Sequence, residues 1–149
     1  PFFSIISMIS CGPIVIYEQT ETIEKPWDYF SPITFEYNIS DTLMPYDLQL
    51  IVDHTASFTY ENLYINATTI FPDGNKTSHP VSLQLANASG DWLGDCSGDK
   101  CETAIDISSS AYFKKVGKYK LIIEQFSRNS GLEGINKFTL KIIEHQNTK

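Results

Sequence analysis

From Ile33 onward, apolar and polar residues alternate with a period of two. Ile33, Phe35, Tyr37 and Ile39 are interleaved with Thr34, Glu36, Asn38 and Ser40, which gives an extended segment one apolar face. The same alternation returns in Leu48-Leu50-Val52, Leu63-Ile65-Ala67, Val81-Leu83-Leu85, Ile105-Ile107, Tyr119-Leu121-Ile123 and Phe138-Leu140-Ile142. Turn chemistry separates most of these runs, and no segment keeps a helical period for three turns. Pro72-Asp73-Gly74-Asn75 reads as a hairpin turn between the Leu63 and Val81 strands, because proline presets the first corner and Gly or Asn accepts a positive φ after it. Short strands rich in β-branched and aromatic residues at this spacing predict an all-β, antiparallel sandwich of about seven to nine strands, immunoglobulin-like or jelly-roll in type.

The beginning of the chain departs from this pattern. Ser4-Ile5-Ile6-Ser7-Met8-Ile9-Ser10 is an apolar run broken only by serines, and Cys11-Gly12 follows it. An apolar stretch ending in small residues before a cysteine has the form of an exported lipoprotein signal, with Met8, Ile9 and Ser10 in the positions ahead of the modified residue. The run is too short to cross a bilayer, and the competing reading makes it an edge strand with Cys11 a half-buried thiol. The division expected is a partial signal peptide over 1–10, a lipidated Cys11 with a leash or edge strand over 11–31, a sandwich over 32–145 and a tail over 146–149. Ile14-Val15-Ile16-Tyr17 is a candidate strand, Glu18 to Pro26 a polar stretch, and Trp27 is expected to pack on the sandwich.

The 149 residues fit one domain with a core of its own. Eleven Lys and Arg against eighteen Asp and Glu leave a net charge of -7, which repels phosphate backbones and argues against a nucleic-acid partner. No basic run holds an anionic surface, so membrane attachment is assigned to lipid on Cys11. Setting Cys11 aside leaves Cys96 and Cys101, whose four intervening residues include Gly98 and can close a disulfide. So small a loop yields about 2 kcal/mol in chain-entropy terms, and a disulfide agrees with export. A redox or zinc pair is the competing reading, but redox motifs space their cysteines by two and zinc needs two further ligands nearby.

The search for chemistry returns little. His54, His79 and His145 stand in no recognisable relation to a Ser or Cys nucleophile, and they read as a rim residue, a loop residue and a tail residue. Asp91, Asp95, Asp99 and Glu102 are the best candidate for a calcium site, although their spacing misses the EF-hand pattern, so no metal and no cofactor is assigned. Gly90-Asp91-Trp92-Leu93-Gly94 suggests a tight bend that inserts Trp92 into the core or a groove. Tyr46, Tyr60, Tyr64 and Trp92 could form a sugar-stacking platform if exposed, or ordinary core and cross-strand pairs. Asn38, Asn66, Asn75 and Asn87 lie in sequons that carry no glycan expectation in a bacterial lipoprotein. Asp41-Thr42-Leu43 matches a short O-glycosylation sequence of Bacteroidota, which makes Thr42 a candidate modification site.

Together these features resemble the gliding motility lipoprotein GldH family of Bacteroidota. The resemblance rests on Cys11, Trp27, Tyr60-Glu61-Asn62-Leu63-Tyr64, Phe71-Pro72-Asp73-Gly74, Gly90-Asp91-Trp92-Leu93-Gly94, Gly117-Lys118-Tyr119, Ile123-Glu124-Gln125 and Leu132-Glu133-Gly134-Ile135. Arg128 also matches a family arginine, with Phe126-Ser127 replacing the residues usual before it. The Cys96 and Cys101 pair lies outside the family pattern. The resemblance implies a membrane-attached, non-enzymatic accessory of gliding and of the type IX secretion machinery, with other gliding or secretion envelope proteins as partners. Gly12-Pro13-Ile14-Val15 carries no acidic residue of the kind found on surface-exported lipoproteins, so a periplasm-facing protein is expected. A cell-surface glycan-binding or adhesin module is the alternative, and burial of Trp92 argues against it.

Overall fold

The structure, a computed structural model, describes residues 12–147. Cys11 and the apolar run before it lie outside the described residues. Eight long strands carry the fold among these residues: β1 (Val15–Thr22), β3 (Ile33–Ile39), β4 (Tyr46–Thr55), β5 (Asn62–Ile70), β6 (Lys76–Gln84), β8 (Lys100–Ala111), β9 (Gly117–Gln125) and β11 (Ile135–Glu144). Three short ones, β2 (Trp27–Asp28), β7 (Asp95–Ser97) and β10 (Gly131–Leu132), complete it. All pairings are antiparallel.

One sheet has the order β1-β11-β4-β8-β7 and the other β3-β9-β5-β6, with β10 and β2 forming a small ribbon. Counted among the eight long strands, the first pairs with the last, the second with the seventh, the third with the sixth and the fourth with the fifth. That nesting is one long hairpin rolled up on itself, with its tip at Pro72-Asp73-Gly74-Asn75, and it selects the jelly roll over the immunoglobulin topology. Gly74 takes a φ of 88° in the tip, which only glycine adopts cheaply. The predicted alternation then sets which side of each strand faces inward. In β3, Ile33, Phe35, Tyr37 and Ile39 are buried and the residues between them are exposed. Phe35, Leu50, Val52, Leu63, Ile65, Leu83, Leu121, Ile123, Phe138 and Leu140 fill one core between the sheets. Tyr37 stacks on Tyr119 with ring centres 5.6 Å apart, and burial pushes the Tyr37 hydroxyl well above the usual phenol range.

Three strands extend well beyond their apolar runs. One is β8, marked only by Ile105-Ile107, which runs from Lys100 to Ala111. The polar segment after Tyr17 is strand through Thr22, because Glu18 to Thr22 pair with Lys141 to Lys137 of β11 at the edge of the first sheet, where both faces can stay wet. Strand β6 begins at Lys76, ahead of Pro80, and places His79 in a strand and not a loop. Proline is tolerated there because β6 is an edge strand, so a missing N–H on its outer side forfeits no ladder bond.

The two ends of the roll differ. Residues 12–14, the loop 40–45, the hairpin tip 71–75, the loop 112–116 and residues 145–147 gather at one, the near end. The connections 23–32, 56–61, 85–94 and 126–134 gather at the other, the far end. At about 3.3 Å per residue the longer strands separate the ends by roughly 30 Å.

Candidate functional site, a groove at the far end

Most of the motif residues meet at the far end. Trp27 is fully buried there, its ring edge-on to Phe138 with centroids 5.2 Å apart, and its indole N–H donates to the Ser31 carbonyl at 2.8 Å. Opposite it in the small ribbon stands Leu132, also buried. Gln125 closes β9 and organises the loop that follows. Its Nε2 donates to the carbonyls of Trp27 (3.1 Å) and Asn129 (2.8 Å), and its Oε1 accepts from the Ser127 amide (3.0 Å) and hydroxyl (2.7 Å). A buried amide that meets four partners fixes the loop backbone as a turn of regular structure would.

That loop is one wall of an open groove of about 460 Å3. Phe126, Ser127, Arg128 and Asn129 face Phe58, Tyr60 and Tyr64 across it, with Leu63 and Leu132 at its floor. The Phe126 amide donates to the Tyr64 carbonyl at 2.9 Å, Asn129 donates to the Tyr60 hydroxyl, and the Tyr29 hydroxyl donates to the Ser127 carbonyl at 2.5 Å. The walls are thus tied to three separate connections. Tyr60, Tyr64 and Phe126 remain exposed at the rim, and Phe30 in the 23–32 connection at the same end is 92% exposed. Around this aromatic rim the far end is acidic, carrying Glu24, Asp28, Glu61 and Glu133 as well as Asp91, Asp95 and Asp99, with Lys25, Lys100 and Arg128 opposing them.

Trp92 sits half-buried beside this site. Its indole N–H donates to the Ala56 carbonyl at 3.2 Å, and its ring lies tilted at 55° against His54, 4.5 Å away. The bend that carries it crosses β8 so closely that a Cβ on Gly94 would lie 2.1 Å from the Glu102 carbonyl oxygen. Tyr46 is in the core and Trp92 is tucked against His54, so the four aromatics do not form a common platform.

The three histidines sit elsewhere than their sequence neighbours suggested. His54 is fully buried in β4 and not at a rim, because Ile135 and Cys101 flank it in the neighbouring strands and Trp92 and Phe58 cover it. Its Nδ1 donates to the Thr55 carbonyl at 2.8 Å, and its Nε2 has no partner. His79 is exposed. His145 is no loose tail residue: its amide donates to the Pro45 carbonyl, and its Nδ1 lies 2.8 Å from Asp47 Oδ1. The Ser110 amide (2.8 Å) and the Ser109 hydroxyl (3.3 Å) donate to that same oxygen. A nucleophilic triad needs the imidazole between hydroxyl and carboxylate; here the carboxylate is in the middle, which suits a clamp.

The acidic residues after Trp92 are spread along β7, β8 and the turns around them, and among the described residues no three of His, Cys, Asp or Glu converge on a metal-sized space. Cys96 and Cys101 are opposed in the β7–β8 register and joined by a disulfide. Thr42 is half-buried at the near end, in a turn capped by Asp41, whose carboxylate accepts the Leu43 and Met44 amides at 2.8 and 3.2 Å. Sequence reasoning found Tyr60, Tyr64 and Arg128 but did not join them. What joins them is Gln125, whose buried amide has no signature in one sequence.

Fold and groove define an antiparallel jelly-roll domain with a loop-built, aromatic-rimmed surface site. The chain belongs to the GldH lipoprotein family, whose profile matches residues 15–142. It is 30% identical to a gliding motility lipoprotein GldH homologue of Christiangramia forsetii over 97% of this chain and 93% of that one. It is 26% identical to gliding motility lipoprotein GldH of Flavobacterium johnsoniae over 92% and 89%. Among solved structures it is similar to the infectious bursal disease virus VP2 subviral particle protein, with 18% identity and a TM-score of 0.42 over 97% of this chain, and to a Gx strain structure of the same virus, with 17% and 0.43. The chain spans 37% and 33% of those two viral chains. Membership makes it a membrane-anchored lipoprotein of the cell envelope.

Proposed function

We propose that this protein is a non-enzymatic accessory of gliding motility and of the associated type IX secretion machinery, tethered on the periplasmic side through lipid on Cys11, and that its far-end groove docks another envelope protein. The observation that carries the docking role is the groove itself. Tyr60, Tyr64 and Phe126 keep large apolar faces in water, yet the backbone beneath them is held by Gln125 and by bonds from three connections. Exposed aromatics on a fixed backbone around an apolar-floored cleft are what interface centres are built from, since little backbone entropy is lost when a partner covers them. The acidic surround favours a partner whose contact face is basic.

Affinity purification from native membranes followed by mass spectrometry tests this. The parent should recover gliding or secretion components. A Tyr64→Ser, Phe126→Ser variant should stay in the membrane fraction and lose them, because both residues are exposed and their removal costs about 0.5 kcal/mol or less of stability each. Recovery from the parent of no gliding or secretion component overturns the reading.

A further inference from the structure

The near end has its own exposed apolar residues, and their setting differs from that of the groove. Leu43 is 86% exposed in the loop 40–45, and Tyr112 (62%) and Val116 (60%) are exposed at the two ends of the loop 112–116. Asp41 caps the turn beneath Leu43 and holds it at an apex. Ile14 and Ile16, where the described chain enters β1, are exposed as well. Scattered single hydrophobics on a surface need no explanation, but loop-tip apolar residues collected at one pole of a domain do. Charge separates the poles too. The near-end loops balance Asp41 and Asp73 with Lys114 and Lys115, and Lys115 pairs with Asp73, whereas the far-end loops are strongly acidic. An acidic pole is repelled by an anionic membrane surface, and a near-neutral one with apolar tips and lysines is not.

Chain geometry supplies the remaining constraint. Ile14 is fixed at this pole by its carbonyl, which accepts the Glu144 amide at 2.9 Å. Residue 11 is three residues away, a reach of at most about 11 Å.

We propose that the near end is seated on the bilayer, with Leu43, Tyr112 and Val116 entering the headgroup region, so that the sandwich stands upright and presents the far-end groove to the periplasm. The proposal rests on the lipid at Cys11. Three side chains are too few to hold the protein at a membrane by themselves, but a short lipidated tether keeps them at high effective concentration there, and their burial then sets the tilt. Tyr at such a position has its polar tip at the headgroups and its ring below them.

The test uses lipidated full-length protein reconstituted into vesicles of phosphatidylethanolamine and phosphatidylglycerol with brominated acyl chains. Leu43→Trp places a fluorophore at the near end and Leu93→Trp places one on an exposed far-end loop, each compared with the parent emission of Trp27 and Trp92. The added Leu43→Trp emission should shift to the blue and lose most of its intensity to bromine quenching, while the added Leu93→Trp emission is unchanged. Vesicle flotation in the same samples reads the anchor separately: the parent should float, and a Cys11→Ser variant should not. Floating protein with unquenched Leu43→Trp, or with both positions quenched alike, overturns the seating alone. A parent that does not float overturns the anchor and the seating together.

Discussion

Gln125 and Asp47 show how single polar residues shape the two poles. Gln125 is buried with all its bonding capacity used, so Gln125→Leu keeps the volume and strands the Ser127 amide and the Trp27 and Asn129 carbonyls. We expect a loss of about 2–4 kcal/mol in denaturant unfolding, with the 126–134 loop exchanging its amides faster than the sheets do. Asp47 works at the near end. Its burial raises the carboxyl pKa, but the Ser110 amide, His145 and Ser109 together outweigh that and hold it below its ordinary value. A group whose folded pKa is depressed contributes stability that is present above its unfolded pKa and lost as pH falls through the folded one. Acidification below the ordinary carboxylate range should therefore loosen the 109–110 and 145 contacts, and Asp47→Asn should flatten the acid limb of a stability-against-pH curve. An unchanged limb would remove Asp47 from the acid response.

At the scale of elements, the period-two pattern located every long strand from β3 onward, because each has one face in the core and alternation records that directly. The strands it shortened most have little apolar face to record: β1 turns only Tyr17 onto the core, the first half of β6 has none, and β8, marked only by Ile105-Ile107, opens with Lys100 to Ala104 and closes on Ser108-Ser109-Ser110. Topology was legible only down to two alternatives, since nesting depends on which strands meet across a hundred residues and no local signal encodes that. The groove was legible in its aromatics and not in its supports. The Cys96–Cys101 bridge staples the β7–β8 hairpin, whose inner cysteine lies buried opposite His54. Cys96→Ser, Cys101→Ser should cost about 2 kcal/mol in chemical denaturation, with the largest loss of amide protection in residues 92–101. A variant as stable as the parent would make the bridge incidental.

For the whole molecule, the rolled hairpin puts the entry into β1 and the aromatic-rimmed groove at opposite ends of a body roughly 30 Å long. Residues 15–22 are sewn into the sheet edge, so under the proposed seating the domain stands as a stalk and not on a leash through that segment. On the proposed seating, the far end, acidic and rimmed with aromatics, is the part left free to meet another protein. Site-specific photo-crosslinking in intact cells reads this arrangement most directly. A benzoylphenylalanine in place of Tyr64 or Phe126 should give a discrete protein adduct, and one in place of Tyr112 should give none. Protein adducts from Tyr112, with none from Tyr64 or Phe126, would contradict the account.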